Sequence, residues 1–177
     1  IDMLAETNDL TREAAIAKLK ESYDGYHFSA ESPDVFNPYS LLNSFSKKEF
    51  GDYWFGSGTP TYLINMMRKF NVLPTDIITR IEADASEFDA PTETMVSIMP
   101  LLYQSGYITI KDYNRDYNYY TLDVPNKEVK VGLTRALIPA YVTHNTLATT
   151  NTARRIAQAL DKQDMNGALE LLQTFLG

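Results

Sequence analysis

One segment of the chain repeats with a period of two, whereas its neighbours repeat at helical spacing. In GYITIKDYNRDYNYYTLDVP, residues 106–125, Ile108 and Ile110 alternate with polar residues, and Leu122 and Val124 do the same after the turn sequence NRD. Two alternating runs joined by a short polar turn predict an antiparallel β-hairpin. The chain is therefore predicted to be mainly α-helical with one small β-hairpin.

Residues that favour the first turn of a helix recur along the rest of the chain. Apolar residues follow each of them at intervals of three and four, which is the spacing of a buried helical face. The predicted helices begin at Thr11, Asn37, Thr59, Pro91 and Asn126. The first runs through Tyr23, the second to about Phe45, and the fourth ends at Gly106. Pro139 is expected to bend or end the last of them.

The order helix, hairpin, helix predicts a winged-helix-like subdomain. We assign residues 1–90 to a helical, lid-like subdomain whose last part, 74–90, is acidic and weakly helical. Residues 91–145 form the winged-helix-like subdomain, and residues 146–177 form a helical tail that leads to a downstream domain. The tail is read as a helical pair, 150–160 and 167–176.

Charge and composition exclude several classes of protein. A net charge of −7 disfavours nonspecific wrapping of nucleic acid by the whole surface. With no cysteine and only His27 and His144, the chain has no zinc ribbon and no histidine-rich metal site. It has no apolar run as long as a membrane span, so we expect a cytoplasmic protein without a membrane partner. The start at Ile1 predicts that the chain is a segment of a longer protein.

Three motifs invite a catalytic, phosphate-binding or metal-binding interpretation, and each has a structural alternative that we prefer. FGSGTP, residues 55–60, lacks the Lys-Ser/Thr of a P-loop and is read as a turn before a helix. The acidic residues between 82 and 89 match no calcium loop, so no metal is assigned. His27 needs a nucleophile and an orienting group to act as a base, so we assign no catalytic residue and interpret it as a packing or capping residue.

Basic residues gather in the hairpin and in the helix that follows it. They are Lys111, Arg115, Lys127, Lys130 and Arg135. A DNA-binding winged helix would use its wing and recognition helix in this way. Acidic residues are interleaved with them and four tyrosines crowd the hairpin, a composition that favours packing against another domain or a second copy of the chain.

Five ordered strings together resemble a known family. YDGYHF, VFNPYSLLNSF, YWFGSGTPTYL, LLYQSGYITIKDY and YTLDVPNKEV resemble the predicted AAA-ATPase-like family of anaerobic bacteria, over roughly residues 10–141. Members of that family join an ATPase-like region to a C-terminal PD-(D/E)XK nuclease-like region. The resemblance implies that this chain is the middle segment, with the Walker A loop upstream and the nuclease carboxylates downstream. ATP and Mg²⁺ are implied for the whole protein, and the adjacent ATPase core and nuclease-like domain are its implied partners.

The resemblance also implies a nucleotide-contacting element. Related ATPases with a helical lid and a winged helix carry a Gly-x-Pro element that starts a helix and contacts the nucleotide base, and Asn37-Pro38 has this helix-starting form. Tyr23, Tyr26 or Phe28 would then stack on adenine, and Asn37 would supply a polar contact. The structural alternative is that Tyr23 and Phe28 anchor the exit of the first helix around Gly25. The chain alone is expected to hydrolyse no ATP and to act as a regulatory segment, with DNA binding or a protein-interaction role as alternatives.

Overall fold

The computed structural model describes residues 1–56, 61–141 and 146–176. The helices are α1 (Asp2–Thr7), α2 (Arg12–Tyr23), α3 (Pro38–Lys47), α4 (Tyr53–Gly56), α5 (Thr61–Lys69), α6 (Pro74–Ile78), α7 (Ala85–Phe88), α8 (Met99–Gln104), α9 (Lys127–Tyr141), α10 (Thr146–Asp161) and α11 (Met165–Leu176). The strands are β1 (Ile81–Ala83), β2 (Thr109–Asn114) and β3 (Tyr119–Asp123), and a single 3₁₀ turn spans Thr92–Thr94. The predicted mainly α fold with a small β-hairpin is therefore confirmed.

Polar side chains begin three helices where the sequence predicted them. The Thr11 hydroxyl accepts the Ala14 N–H at the start of α2, and Asn37 Oδ1 accepts two N–H groups at the start of α3. Asn126 Oδ1 accepts the Val129 N–H at the start of α9. Each cap pairs a donor that the first helical turn leaves unpaired. The cap predicted at Thr59-Pro60 lies outside the described residues, as does His144.

The hairpin contains an irregularity at Lys111. Ile110 faces Leu122 and Asp112 faces Thr121, so Lys111 is an extra residue on β2 with no partner on β3. An extra residue bends a strand and redirects its side chain. In this strand it directs the Lys111 side chain away from β3, toward the loop that follows α2.

A third strand, β1, joins the sheet on the far side of β3. Ile81 pairs with Leu122 and Ala83 with Tyr120, giving the order β1-β3-β2. The sequence reading of 74–90 as weakly helical missed this strand, because three residues are too few to show alternation. The core also crosses the predicted boundary at residue 90, since Ile77 and Phe88 pack with Leu133 in one cluster. The hydrophobic core is therefore continuous across residue 90.

Two helices have bounds that differ from those predicted: one begins later and one ends later. The helix expected after Pro91 begins only at Met99, and Val96 is 93% exposed. Pro100 lies in the first turn of α8, where a proline costs no intrahelical hydrogen bond. In contrast, α9 continues past Pro139 to Tyr141. Pro139 has no N–H and so removes one intrahelical hydrogen bond, but it does not end the helix.

Three clusters of buried side chains organise the chain. The central one contains residues of helices α5 through α9 and of the sheet, and Met67, Leu122 and Leu133 are among its fully buried members. A second cluster joins α1, α2 and α3, and a third joins α10 and α11. The predicted helical pair of the tail is confirmed, although α10 begins at Thr146. In the described residues, no helix has both the length and the hydrophobicity to cross a bilayer.

Candidate functional site: an aromatic cleft

A cleft of about 560 Å³ opens between the loop after α2, the start of α3 and the end of α8. We call it the aromatic cleft. The residues that line it are Tyr26, Phe28, Val35, Phe36, Asn37, Pro38, Tyr39, Trp54, Tyr103, Gln104, Ser105, Gly106, Ile108 and Thr109. Its volume lies within the range of small-molecule sites, and most of its wall is apolar or aromatic, as is usual for such sites.

Four of the five residues predicted to contact a nucleotide meet in this cleft, and Tyr23 does not. Tyr26, Phe28, Asn37 and Pro38 all line it. Tyr23 is only 1% exposed, and its hydroxyl accepts the Gly51 N–H and donates to the Gly51 carbonyl, each at 3.0 Å. Burial raises the pKa of Tyr23 to about 12. Its ring packs α2 against the segment before α4 and is not available to a ligand.

Two side chains of β2 hold the loop that forms one wall of the cleft. Lys111 Nζ donates to the carbonyls of Gly25, at 2.8 Å, and Pro125, at 3.1 Å. The Thr109 hydroxyl accepts the His27 N–H and donates to the His27 carbonyl, both at 2.8 Å. Burial lowers the pKa of Lys111, against the opposing effect of nearby carboxylates. The loop is thereby fixed to the sheet without regular strand pairing.

Gly25 is required at this crossing. Its φ is +95°, a region that L-residues rarely occupy, and a Cβ built on it would lie 2.3 Å from the Pro125 carbonyl oxygen. The glycine of YDGYHF therefore lets the loop approach the chain that leads into α9.

The outer part of the loop exposes the Phe28 ring and partly buries the His27 imidazole. Tyr26 and Val35 exchange backbone hydrogen bonds of 3.2 and 2.7 Å, and Phe28 extends from this pair with 68% of its surface exposed. The interpretation of Phe28 as a packing anchor is therefore wrong. His27 Nδ1 lies 3.5 Å from Asp34, and its buried Nε2 has no hydrogen-bond partner. A histidine without a paired nucleophile does not form a catalytic set.

Two polar side chains, Asn37 and Tyr26, lie at the floor of the cleft. Asn37 is 8% exposed, and its Oδ1 is occupied by the N–H groups of Tyr39 and Ser40, at 3.0 and 3.2 Å. The Tyr26 hydroxyl is buried and has no partner, and burial raises its pKa to about 12. The amides of Asn37 and Asn126 act on this hydroxyl and partly offset that rise, but neither reaches hydrogen-bond geometry with it.

Several residues of the cleft were not predicted from the sequence as site residues. Trp54 is the only tryptophan of the chain, and its ring meets Phe55 and Tyr107 edge-on, with centroids 5.5 and 5.3 Å away. Gly106 has a φ of +74°, and a Cβ there would lie 3.3 Å from the Tyr26 ring. Trp54 and Gly106 belong to the strings YWFGSG and LLYQSG, which were the available signal. Their meeting with Tyr26 depends on tertiary contacts that local patterns do not report.

Glu128, a buried carboxylate behind the cleft, positions Trp54. It is 2% exposed, its Oε2 accepts the Ser40 hydroxyl at 2.6 Å, and its Oε1 accepts the Trp54 backbone N–H at 2.8 Å. Burial raises the pKa of Glu128, and these two hydrogen bonds oppose the rise. The first turn of α9 thus fixes α3 and α4, which carry opposite sides of the cleft.

Protein groups engage four of the five basic residues considered for DNA binding. Lys111 is held as described, and the other pairs are Arg115–Glu31, Lys127–Asp161 and Arg135–Asp52, at 2.5, 2.8 and 2.5 Å. Lys130 is half-buried on α9. These contacts reduce the positive charge available to a phosphate backbone.

One of the acidic residues between 82 and 89 stabilises the start of a helix. Glu87 accepts the Asp84 N–H at 2.7 Å across the first turn of α7. Within the described ranges, no group of three or more histidine or acidic side chains is arranged to hold a metal ion.

The hairpin tyrosines are mostly packed against the chain itself. Tyr113 and Tyr120 face each other across the strands, with centroids 4.5 Å apart, and Tyr120 also meets Phe88 at 5.3 Å. Tyr117, at the turn, is exposed. A homo-oligomer formed through this hairpin stays a prediction.

The sequence is similar to that of a known protein. Over 127 residues, 71% of this chain, the sequence is 34% identical to an uncharacterized protein in the vnfD 5′ region of Azotobacter chroococcum mcd 1. The match covers 24% of that protein, so the chain spans about a quarter of its length. No protein-family model and no solved structure matches the chain.

Proposed function

We propose that this chain is the lid-like and winged-helix segment of a AAA-type ATPase. In this proposal the aromatic cleft contacts the base of the bound nucleotide. The segment then relays nucleotide state to an adjacent nuclease-like domain. The chain itself is not catalytic, and the ATP phosphates and Mg²⁺ are held by the ATPase core.

The observation that supports the proposal is that the residues lining the cleft belong to the sequence strings that resemble the ATPase-like family. Tyr26 and Phe28 come from YDGYHF, residues 35–39 from VFNPYSLLNSF, Trp54 from YWFGSGTPTYL, and residues 103–109 from LLYQSGYITIKDY. The fifth string, YTLDVPNKEV, contributes Glu128 behind the cleft. The strings that resemble the ATPase-like family are thus spread along the chain and meet around one concave surface.

The order of elements around the sheet supports the winged-helix part of the proposal. β1, α7, α8, β2 and β3 follow one another, and β3 lies between the other two strands. In a winged helix the recognition helix lies directly before the hairpin, so α8 takes its place here, and not the basic helix α9 that follows the hairpin. The sequence of α8, MPLLYQ, contains no basic residue, and its Tyr103 and Gln104 line the aromatic cleft. This geometry favours a ligand-binding role over DNA binding.

An exposed apolar rim beside the cleft supports the lid-like part. Phe28, Val35, Tyr39 and Leu42 are each at least 43% exposed, and they lie on the loop and on the outer face of α3. Exposed apolar groups gathered on one side favour contact with another protein surface. We propose that the ATPase core covers this rim when nucleotide is bound.

Trp54 provides the experiment, because a single tryptophan in the cleft makes intrinsic fluorescence a local reporter. Titration of the chain with ATP is expected to give a saturable change in Trp54 emission, without release of phosphate. Phe28→Ala should weaken binding about tenfold, since stacking of a base on an aromatic ring contributes about 1–3 kcal/mol. The matched control is Tyr62→Ala, which removes an exposed ring from α5, outside the cleft. Equal affinities of wild type, F28A and Y62A, or an absence of saturation, would contradict the proposal.

A further inference from the structure

We infer that a second pocket, between α2, α9 and α10, binds a phosphate group, either free phosphate or the phosphate of a small phosphorylated molecule. The pocket has a volume of about 250 Å³, and among the described residues it shares none of its lining with the aromatic cleft. We call it the basic pocket, after Lys18, Lys127, Arg135 and Arg154 in its wall. Binding there would be additional to the proposed nucleotide contact of the aromatic cleft.

One face of each of three helices lines the basic pocket. Lys18 and Ser22 lie four residues apart on α2, and residues 127, 131 and 135 follow at the same interval on α9. On α10 the lining residues are 154, 157, 158 and 161, again at intervals of three and four. Residues at this spacing lie on one side of a helix, so the side chains of the three faces converge on one space.

The charge of the pocket wall is opposite in sign to that of the chain. The whole chain has more acidic than basic residues, 23 against 16. The described residues of the wall instead include the four basic ones and three acidic ones, Asp52, Glu128 and Asp161. Of these three, Glu128 has its carboxylate oxygens on the Ser40 hydroxyl and the Trp54 N–H. An anion is therefore attracted to this wall although the protein as a whole is negative.

Two of the four cations have structural partners. Lys127 Nζ lies 2.8 Å from Asp161 and 3.6 Å from Glu21, so it connects α9 with α10 and α2. Arg135 pairs with Asp52 at 2.5 Å, which connects α9 with the segment before α4. These ion pairs explain the presence of Lys127 and Arg135 in the pocket without a ligand.

The other two cations, Lys18 and Arg154, have no such explanation. Within the described part of the chain neither forms an ion pair. Lys18 Nζ lies over the Phe50 ring, 4.3 Å from its centroid. Ser22 follows Lys18 by one helical turn and Gln158 follows Arg154 by one turn, so each cation has a neutral hydrogen-bond donor beside it.

A phosphate group matches this arrangement better than a single carboxylate does. It carries about 1.5 to 2 negative charges near pH 7, enough to pair with both cations. Arginine donates two parallel hydrogen bonds to phosphate oxygens, and lysine contributes a point charge. A phosphate bound to Lys18 and Arg154 would also link α2 to α10.

The test is a ¹H–¹⁵N NMR titration of the labelled chain with inorganic phosphate, with glycerol 3-phosphate and with glycerol, near neutral pH and at constant ionic strength. Both phosphates are expected to shift the Gly51 and Ala157 amides in a saturable manner, and glycerol should not. Tighter binding of glycerol 3-phosphate would identify a phosphorylated small molecule as the ligand. Equal or tighter binding of inorganic phosphate would identify free phosphate. Absence of saturation with both would overturn the inference.

Neighbouring basic residues provide matched controls. Arg154→Gln and Lys18→Gln should each weaken phosphate binding about tenfold, since each removes a hydrogen bond between charged groups. Arg155→Gln and Lys20→Gln remove the same charges from exposed positions of α10 and α2 outside the pocket, and should bind as wild type does. All four variants should unfold at midpoints close to that of wild type. Equal affinities of R154Q and R155Q would overturn the inference, because nonspecific attraction depends on net charge alone.

Discussion

Replacement of Glu128 should clearly lower the free energy of unfolding of this fold. Glu128 is buried at the start of α9 and accepts hydrogen bonds from the Ser40 hydroxyl and the Trp54 N–H. Glu128→Ala removes the acceptor of the buried Ser40 hydroxyl and of the part-buried Trp54 N–H, and each hydrogen bond lost in this way costs about 1–3 kcal/mol. Removing the carboxylate also removes the free-energy cost of burying it, which offsets part of this loss. We expect the free energy of unfolding to fall by about 2–4 kcal/mol, a large share of the 5–15 kcal/mol typical of a domain.

Glu128→Gln is the matched control, because glutamine has nearly the same shape. Its Oε1 can accept the Trp54 N–H, and its Nε2 can donate to the Ser40 hydroxyl oxygen. The free energy of unfolding should therefore stay within about 1 kcal/mol of the wild-type value near neutral pH. Urea denaturation followed by far-UV circular dichroism gives these energies for a cooperative transition.

The raised pKa of Glu128 fixes the sign of a pH effect. A carboxyl whose pKa is higher in the folded than in the unfolded state binds its proton more tightly when folded. Its stabilising contribution is full below the unfolded pKa of about 4.3 and is lost as pH rises through the folded pKa. Wild type should therefore lose stability relative to E128Q as the pH rises above about 4 and through the raised pKa of Glu128. An E128A cost below about 1 kcal/mol, or the opposite pH trend, would refute this account of Glu128.

Three further predictions concern the loop after α2 and the alternative function. Tyr23→Phe removes a hydroxyl that pairs with both backbone groups of Gly51 and should cost about 1–3 kcal/mol in urea denaturation, whereas the exposed Tyr62→Phe should cost nothing measurable. Gly25→Ala should cost about 3 kcal/mol or more, because it combines a positive φ with a clash against Pro125, and a midpoint equal to that of wild type would contradict the close approach. Duplex DNA should not bind at low salt in a fluorescence anisotropy titration, and saturable binding with a steep salt slope would restore the DNA-binding alternative.

Local signals in the sequence predicted most of the helices. The caps at Thr11, Asn37 and Asn126 each depend on one side chain and the next three residues, so the sequence contains all the information that they need. The hairpin could be predicted from local sequence in the same way, since its alternating residues and its turn lie within twenty residues. β1 was missed because a three-residue strand is defined by its pairing with β3 and not by its own pattern.

The cleft was predictable in part. Tyr26, Phe28 and Asn37 were selected because the strings that contain them resemble a family with a nucleotide-contacting element. The contribution of Trp54 depends on Glu128, which lies 74 residues further along the chain, and no local pattern reports such a contact. The same holds for the basic residues, because Arg135 finds its acidic partner 83 residues away. Long-range pairs of this kind decide which charges and rings remain available to a ligand.

The most direct test of the central claim is a two-dimensional ¹H–¹⁵N NMR titration of the labelled chain with adenosine. Trp54 contributes a single indole resonance, and the side-chain amide of Asn37 reports on the floor of the cleft. The account predicts that both resonances shift together in a saturable manner, whereas resonances of α11 do not move. Shifts confined to other surfaces, or no shifts at all, would contradict a base-binding role for the aromatic cleft.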